Sequence, residues 1–184
     1  MRWEALFADL EAEIEAAEAA ELGAEVADRT RAEVGRIRLI DRLRAATGQE
    51  LVVRAAGGTV VTGRLGAAGP DWLLLTEGNG RTAVVARTAV LTVTGLGAYA
   101  ADPGSEGAVG ARLDLRYALR GLARDRAGVT VLLTDGIAMV GTLDRVGADY
   151  AELAEHPPGE PRRAAGVRAV RTIPLAALAV VRSE

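Results

Sequence analysis

Arginines spaced four residues apart are the residues of this sequence best suited to bind a ligand. All 22 basic residues are arginine, and four of them recur at a regular interval: Arg112, Arg116, Arg120 and Arg124. On an α-helix that interval places side chains on one face, so the guanidinium groups can follow a row of phosphates. The same face can instead pair with acidic residues of a protein. Both RNA and an acidic protein surface therefore remain open as partners.

Catalytic and metal-binding chemistry find little support in the sequence. Asp71 and Asp149 follow turn residues, where an aspartate usually accepts backbone hydrogen bonds. His156 is the only histidine and has no serine or cysteine at a motif spacing. The chain contains no cysteine and no phosphate-binding loop signature. We therefore predict a protein without catalytic residues, metal site or cofactor.

An internal duplication organises the chain. The segment GRLGAAGPDWLLL at 63–75 is matched by GTLDRVGADYAEL at 141–153, which begins 78 positions later. The shared positions pair Gly63 with Gly141, Asp71 with Asp149 and Trp72 with Tyr150. Further along, the offset grows to 88 because the second copy has a longer loop, HPPGEPRRAAG. A repeat of this length indicates a duplicated folding unit.

Helices are predicted at the start of the chain and before each set of strands. Trp3, Phe7, Leu10 and Ile14 recur at helical spacing among acidic residues, which predicts an amphipathic helix over residues 1–30. The spacing of Thr30 and Glu33 is that of a capping box, which predicts a new helix from about Arg31 to Gly48. A third helix is predicted over 109–126, where the arginine stripe lies.

Each copy then changes to a period of two, which indicates strands. Five short apolar runs separated by glycine-rich turns follow Leu51, and five more follow Val129. In the third run, Leu73 and Leu75 are expected to face inward, so Trp72 should face outward or lie at a rim. The predicted division is a helical segment 1–30, repeat 1 at 31–94, a glycine-rich linker 95–108 and repeat 2 at 109–184.

Charge and hydropathy limit the partners and the location. Residues 1–33 carry ten acidic and three basic residues, a net charge of −7, whereas the whole chain carries −3. Residues 34–184 are therefore mildly basic, a charge that is compatible with nucleic-acid binding. The longest uncharged run, 88–101, has 14 residues and is too short to cross a membrane. The start of the chain lacks the apolar segment of a signal peptide, so we expect a cytoplasmic protein without a membrane partner.

Each repeat has one helix followed by five strands, and its second strand carries a glycine with an apolar residue two positions later. This arrangement resembles the Sm-like family, and most of all its bacterial Hfq-type RNA chaperones. The resemblance implies a mainly β fold with helices, in which the N-terminal helical segment precedes two Sm-like five-stranded bent barrels. It also implies candidate RNA-binding residues, with Trp72 and Tyr150 stacking on bases and Arg87 and Thr88 at the position of the family's Lys-His pair. The family's usual Asp and Asn are replaced by Gly69 and Leu73 in repeat 1.

The expected function is that of a non-enzymatic binding protein. The resemblance and the basic repeats favour single-stranded RNA as the ligand. The alternative is a protein-interaction or scaffold module that keeps the Sm-like fold without binding RNA. Because bent five-stranded sheets leave their fourth and fifth strands available, two repeats can satisfy one strand pair within the chain. The other strands are expected to join further copies as a homodimer or trimer that imitates a ring, unless the N-terminal helix covers the edge.

Overall fold

The computed structural model describes residues 2–105, 107–110, 112–159 and 162–183, in two compact units, Met1–Arg38 and Leu39–Glu184. The first unit is a helix, α1, over Arg2–Arg36. The predicted new helix at Arg31 is wrong, because α1 continues through that position. The hydroxyl of Thr30 donates to the carbonyl oxygen of Val26 one turn earlier at 2.8 Å, as it does inside a helix, and so forms no capping box.

The second unit contains the remaining helices and all the described strands. Its helices are α2 (Leu39–Ala45), α3 (Gly107–Gly110) and α4 (Leu115–Asp125). The strands of the first half are β1 (Glu50–Ala55), β2 (Val60–Ala68), β3 (Trp72–Glu77), β4 (Thr82–Ala86) and β5 (Val90–Thr94). Those of the second half are β6 (Gly128–Leu133), β7 (Ala138–Val146), β8 (Tyr150–Glu155), β9 (Ala169–Pro174) and β10 (Leu178–Ser183). The predicted strands are all present.

The strands form one antiparallel open sheet of ten strands. Their order is β5-β1-β2-β3-β4-β10-β6-β7-β8-β9, so the two halves have the same internal order and meet where β4 lies beside β10. The prediction of a mainly β fold with helices is thus confirmed at the level of a helix-bearing antiparallel sheet. Among the residues with described placement, no helix is both long enough and apolar enough to cross a membrane.

The duplication is visible in the strand registers. Gly63 lies opposite Glu77 in the first half, and Gly141 lies opposite Glu155 in the second. A Cβ at either glycine would collide with a backbone carbonyl of the neighbouring strand, that of Thr76 or Ala154. Glycine therefore recurs at this position because the strands approach too closely there for any side chain.

The alternation of the third strand of each half builds the core. Leu73 and Leu75 are fully buried, as the sequence predicts, and so is Leu153 of the second half. From the helices, Leu43 of α2 and Leu119 of α4 are equally buried. Each such leucine contributes about 1.5–3 kcal/mol to the free energy of folding by leaving water. Helices α2 and α4 and both half-sheets therefore share a continuous apolar core.

The pairing of β4 with β10 joins the two halves. Val180 lies opposite Val85, Val181 opposite Val84, and Arg182 opposite Ala83. The prediction that two repeats satisfy one strand pair within the chain is confirmed by this β4–β10 pairing. In the described part of the chain, β5 pairs only with β1 and β9 only with β8, so these two strands are the outer strands of the sheet.

Candidate functional site

A groove of about 480 Å³ lies where turns of both halves meet the start of α4. The first half contributes Asp71 from the β2–β3 turn and Thr88 from the β4–β5 turn. The other lining residues are Asp114, Leu115 and Arg116 at α4, and Ala148, Asp149, Pro174, Leu175 and Ala176 from the equivalent turns of the second half. The two aligned aspartates of the duplication therefore line one groove, which the sequence did not predict.

The β2–β3 turn fixes the start of α4 through two hydrogen bonds. Asp71 Oδ1 accepts from the backbone N–H of Leu115 at 2.7 Å, and Trp72 Nε1 donates to the carbonyl oxygen of Leu113 at 2.6 Å. The indole packs over Gly69, where a Cβ would overlap the ring. This packing explains why glycine stands at position 69. Of the two expected positions for Trp72, facing outward or lying at a rim, the outward one is wrong, since only 8% of the residue is exposed.

Asp114 and Arg116 form the charged end of the groove. Asp114 caps α4 by accepting from the backbone N–H of Tyr117 at 3.0 Å, and it accepts from Arg116 Nε at 2.6 Å. Burial raises the pKa of Asp114, but the hydrogen bonds from Arg116 and Tyr117 and the charges of Arg116 and Arg120 outweigh it and lower the pKa overall. The hydrogen bond to Asp114 and the negative charge of that carboxylate raise the pKa of Arg116. The Arg116 guanidinium is thus held by a carboxylate of its own chain.

The arginine stripe is shorter than the sequence predicts. α4 begins at Leu115, so Arg112 precedes the helix and only Arg116, Arg120 and Arg124 share it. The boundary follows from Asp114, whose extended backbone and capping carboxylate start the helix six residues after the predicted position. Arg112, Arg120 and Arg124 are exposed, and 81% of the Arg124 side chain is in solvent.

The remaining candidate RNA-binding residues lie in the β4–β5 turn and at the start of β8. Arg87 is exposed, but its Nε donates to the carbonyl oxygen of Pro70 at 2.9 Å, while Thr88 is exposed at the groove. Tyr150 is half-buried, with its ring over Gly147 in the same way as Trp72 over Gly69. Of the eight candidates, Thr88 and Arg116 line the groove. Asp114 is the groove residue that the sequence reasoning missed, although its place directly before α4 is a helix-start signal.

The groove carries more negative than positive charge, which is unfavourable for binding phosphate. Asp71, Asp114 and Asp149 supply three carboxylates against the single guanidinium of Arg116. Over the ranges that the structure describes, no three His, Cys, Asp or Glu side chains are arranged to hold a metal ion.

His156, the only histidine, is 4% exposed. Its Nε2 lies 2.9 Å from Thr142 Oγ1, and its Nδ1 lies 2.9 Å from the carbonyl oxygen of Pro157. Both ring nitrogens of the buried His156 thus have a hydrogen-bond partner within the protein.

The chain matches no protein-family model and no curated protein sequence.

Proposed function

We propose that the protein is a non-enzymatic protein-interaction module that associates through the outer strands of its sheet. The β4–β10 pairing carries this proposal, because it shows how a fourth strand and a fifth strand of this sequence associate. At this pairing Arg182 Nη2 donates to the carbonyl oxygen of Val60 at 3.1 Å, and the backbone N–H of Thr82 donates to Ser183 Oγ at 3.1 Å. Strand pairing and side-chain hydrogen bonds together hold the two halves.

The outer strands are open to the same kind of association. Leu91 of β5 is 66% exposed and Val170 of β9 is 56% exposed. Edge strands present unpaired backbone groups and readily accept a further strand. An apolar edge of this kind supports binding by strand addition, in which the backbone supplies affinity and side chains supply specificity.

The fold proposal is that each half is an Sm-like barrel. Both halves have the strand order fifth-first-second-third-fourth, and a short 3₁₀ turn precedes the last strand of each, at Arg87–Ala89 and Leu175–Ala177. The identical registers at the second and third strands support a common ancestor for the halves. With this fold, a homodimer or trimer that imitates a ring is the form of association that we propose.

Single-stranded RNA is the second candidate ligand, and exposed arginines favour it. Arg112, Arg120 and Arg124 lie at or near α4 in solvent, where they can reach phosphates. The position of the family's pocket gives less support, because Trp72 is buried and the neighbouring groove carries three carboxylates. Phosphate would be repelled there. We therefore place RNA behind protein in the order of proposals.

RNA titration tests the order of these candidates. Fluorescence anisotropy with short U-rich and A-rich RNAs at low and moderate salt should give no saturable binding if protein is the main partner. Saturable binding that is lost in the double variant Arg120→Ala/Arg124→Ala, but kept in the matched control Arg64→Ala on β2, would instead establish RNA as the ligand.

Photo-crosslinking in cells tests association through the edges. A photoreactive residue is placed at Leu91 or Val170 on the outer strands, or at Ile137, which is 56% exposed in the β6–β7 turn and serves as control. Cross-links to polypeptide should form from the two edge positions and not from the turn. Equal yields at all three positions would overturn the proposal.

A further inference from the structure

The second half of the chain carries an aspartate and an aromatic residue at the positions that hold the start of α4 in the first half. The first pair is Asp71 and Trp72, and the second pair is Asp149 and Tyr150. We infer that the second pair binds the start of a helix of another protein through two backbone hydrogen bonds. The second pair lies in the β7–β8 turn and at the start of β8, so this inference goes beyond the proposed association through the outer strands.

The first pair contacts two backbone groups of one segment. Asp71 Oδ1 accepts from the backbone N–H of Leu115, and Trp72 Nε1 donates to the carbonyl oxygen of Leu113, two residues earlier. Neither hydrogen bond involves a side chain of that segment. A segment of different sequence can therefore make both, provided that it starts a helix, because the first N–H groups of a helix have no acceptor within it.

The turn that carries the second pair repeats the turn that carries the first. The backbone N–H of Gly69 donates to the carbonyl oxygen of Trp72 at 2.9 Å, and that of Gly147 donates to the carbonyl oxygen of Tyr150 at 2.8 Å. In each turn the aromatic ring lies over the glycine, where a Cβ would overlap it. The two aromatic side chains are therefore presented by turns of the same kind.

The backbone of the two aspartates is held in the same way as well. The carbonyl oxygen of Asp71 accepts from the backbone N–H of Arg87 at 2.9 Å, and that of Asp149 accepts from the backbone N–H of Leu175 at 2.8 Å. Arg87 and Leu175 each begin the 3₁₀ turn before the last strand of their half. Both carboxylates thus project from equivalent, fixed positions, and both line the groove.

The side chains of the second pair carry the hydrogen-bonding groups that the contact needs. Asp149 supplies a carboxylate as Asp71 does, and the hydroxyl of Tyr150 can donate to a carbonyl oxygen as the indole N–H of Trp72 does. Asp149 is exposed and Tyr150 is half-buried. Within the part of the chain that the structure describes, neither side chain has a hydrogen-bond or ion-pair partner. The second pair can therefore receive a segment from outside the chain.

The groove beside the second pair indicates the chemistry of the partner segment. The second half lines the groove with one carboxylate and four apolar residues: Asp149, Ala148, Pro174, Leu175 and Ala176. At the first pair, the first residue of α4 is Leu115, which is 7% exposed. An apolar side chain at the first position of a partner helix can likewise leave water against the apolar lining. The charge of Asp149 favours the positive end of that helix.

The start of α2 is a poor match for the second pair, so a second copy of this chain is not the expected partner. α2 precedes β1 as α4 precedes β6, but only two residues separate its start at Leu39 from the end of α1 at Arg36. The residue directly before α2 is Arg38, whereas Asp114 precedes and caps α4. Arginine is not among the residues that cap helix starts. The partner is therefore a different polypeptide, with a capped helix start like that of α4.

A peptide that copies the segment held by the first pair tests the second pair. The probe is the sequence of residues 112–126, RLDLRYALRGLARDR, with blocked termini and a fluorescent label at its C-terminal end. Its fluorescence anisotropy with the full-length protein should show saturable binding. The matched control probe has N-methylleucine in place of Leu115, which keeps the side chain and removes the N–H that Asp149 would accept. We expect this control to bind at least about tenfold more weakly.

Variants of the protein locate the bound probe. Asp149→Ala removes the acceptor and should weaken binding at least about tenfold, while Tyr150→Phe removes only the donor and should weaken it about fivefold. Asp135→Ala removes an exposed carboxylate in the β6–β7 turn and should leave binding unchanged. An equal loss in Asp135→Ala and Asp149→Ala would mean that charge alone attracts the basic probe, and would overturn the inference. Absence of saturable binding, or binding unaffected by Asp149→Ala, would overturn it too.

Further outcomes separate this inference from the proposed function. Self-association of the wild-type protein that Asp149→Ala abolishes would place a second copy at the second pair and overturn the choice of partner. Photo-crosslinks from Leu91 and Val170 do not depend on the second pair. If they form while the probe does not bind, the association through the edges stands and this inference fails. If the probe binds while the edge and turn positions cross-link equally, the inference stands without that association.

Discussion

Asp71 accepts a 2.7 Å hydrogen bond from the backbone N–H of Leu115, which lies 44 residues further along the chain. Leu115 is the first residue of α4, and the N–H groups of a first helical turn have no acceptor within the helix. A side chain of the first half thus satisfies a backbone donor of the second. The contact ties the duplicated halves together at the groove, apart from their strand pairing.

The first prediction concerns this contact. Asp71→Ala should lower the free energy of unfolding by about 1 kcal/mol, the usual effect of removing a helix-capping side chain. Asp149→Ala, at the aligned and exposed position, should change it by less than about 0.5 kcal/mol. Urea unfolding at low protein concentration measures both. Equal losses in the two variants would mean that the Asp71 contact adds nothing to stability.

A second prediction concerns the indole of Trp72. Trp72→Phe keeps an aromatic ring over Gly69 but removes the Nε1–H that donates to the carbonyl oxygen of Leu113. We expect a loss of about 1 kcal/mol from the hydrogen bond, with a further loss from the smaller ring. Tyr150→Phe, which keeps the ring at the half-buried counterpart position, is the matched control and should cost less. Thermal or urea unfolding of both variants provides the comparison.

The strands could be predicted from the sequence because their signals are local. Alternation of period two identified each strand, and the repeated spacing of Gly63 and Gly141 fixed which strands correspond. The inward direction of Leu73 and Leu75 followed from the same alternation. The burial of Trp72 could not be obtained in this way, because the residue that receives its hydrogen bond lies 41 positions away, in a segment with no predicted contact to it.

The start of α4 was misplaced although a signal for it exists. Asp114 directly precedes the run LRYALRGLARD, and an aspartate before an apolar periodic segment is a helix-start signal. The four-residue spacing of the arginines instead led to a predicted helix that includes Arg112. The groove could not be predicted for a different reason. It forms only when particular edges of the two half-sheets meet, and alternation within a strand does not say which edges those are.

The third prediction tests the close approach of strands at the repeated glycine. Gly141→Ala should destabilise the fold by about 1–3 kcal/mol, since its Cβ would force the carbonyl of Ala154 and the neighbouring strand to move. Gly66→Ala on β2 is the control, because a Cβ there would meet its nearest atom, the carbonyl oxygen of Leu74, at 3.6 Å. Chemical unfolding should separate the two variants. A cost at Gly66 as large as that at Gly141 would contradict the steric explanation.

The last prediction concerns pH. The pKa of Asp114 is lowered from its ordinary value of 3.8, because the hydrogen bonds of Arg116 and Tyr117 and the nearby positive charges outweigh burial. A carboxyl group with a lowered pKa in the folded state stabilises the fold above its unfolded-state pKa, and this contribution is lost as the pH falls through the folded-state value.

Asp114→Asn can still cap α4 but carries no charge to pair with Arg116. The difference in unfolding free energy between wild type and Asp114→Asn should therefore be constant above about pH 5 and shrink below about pH 4. Urea unfolding across this range measures it, and in an Arg116→Gln background the difference should become smaller and depend less on pH. A difference that grows on acidification would show that the folded-state pKa is raised.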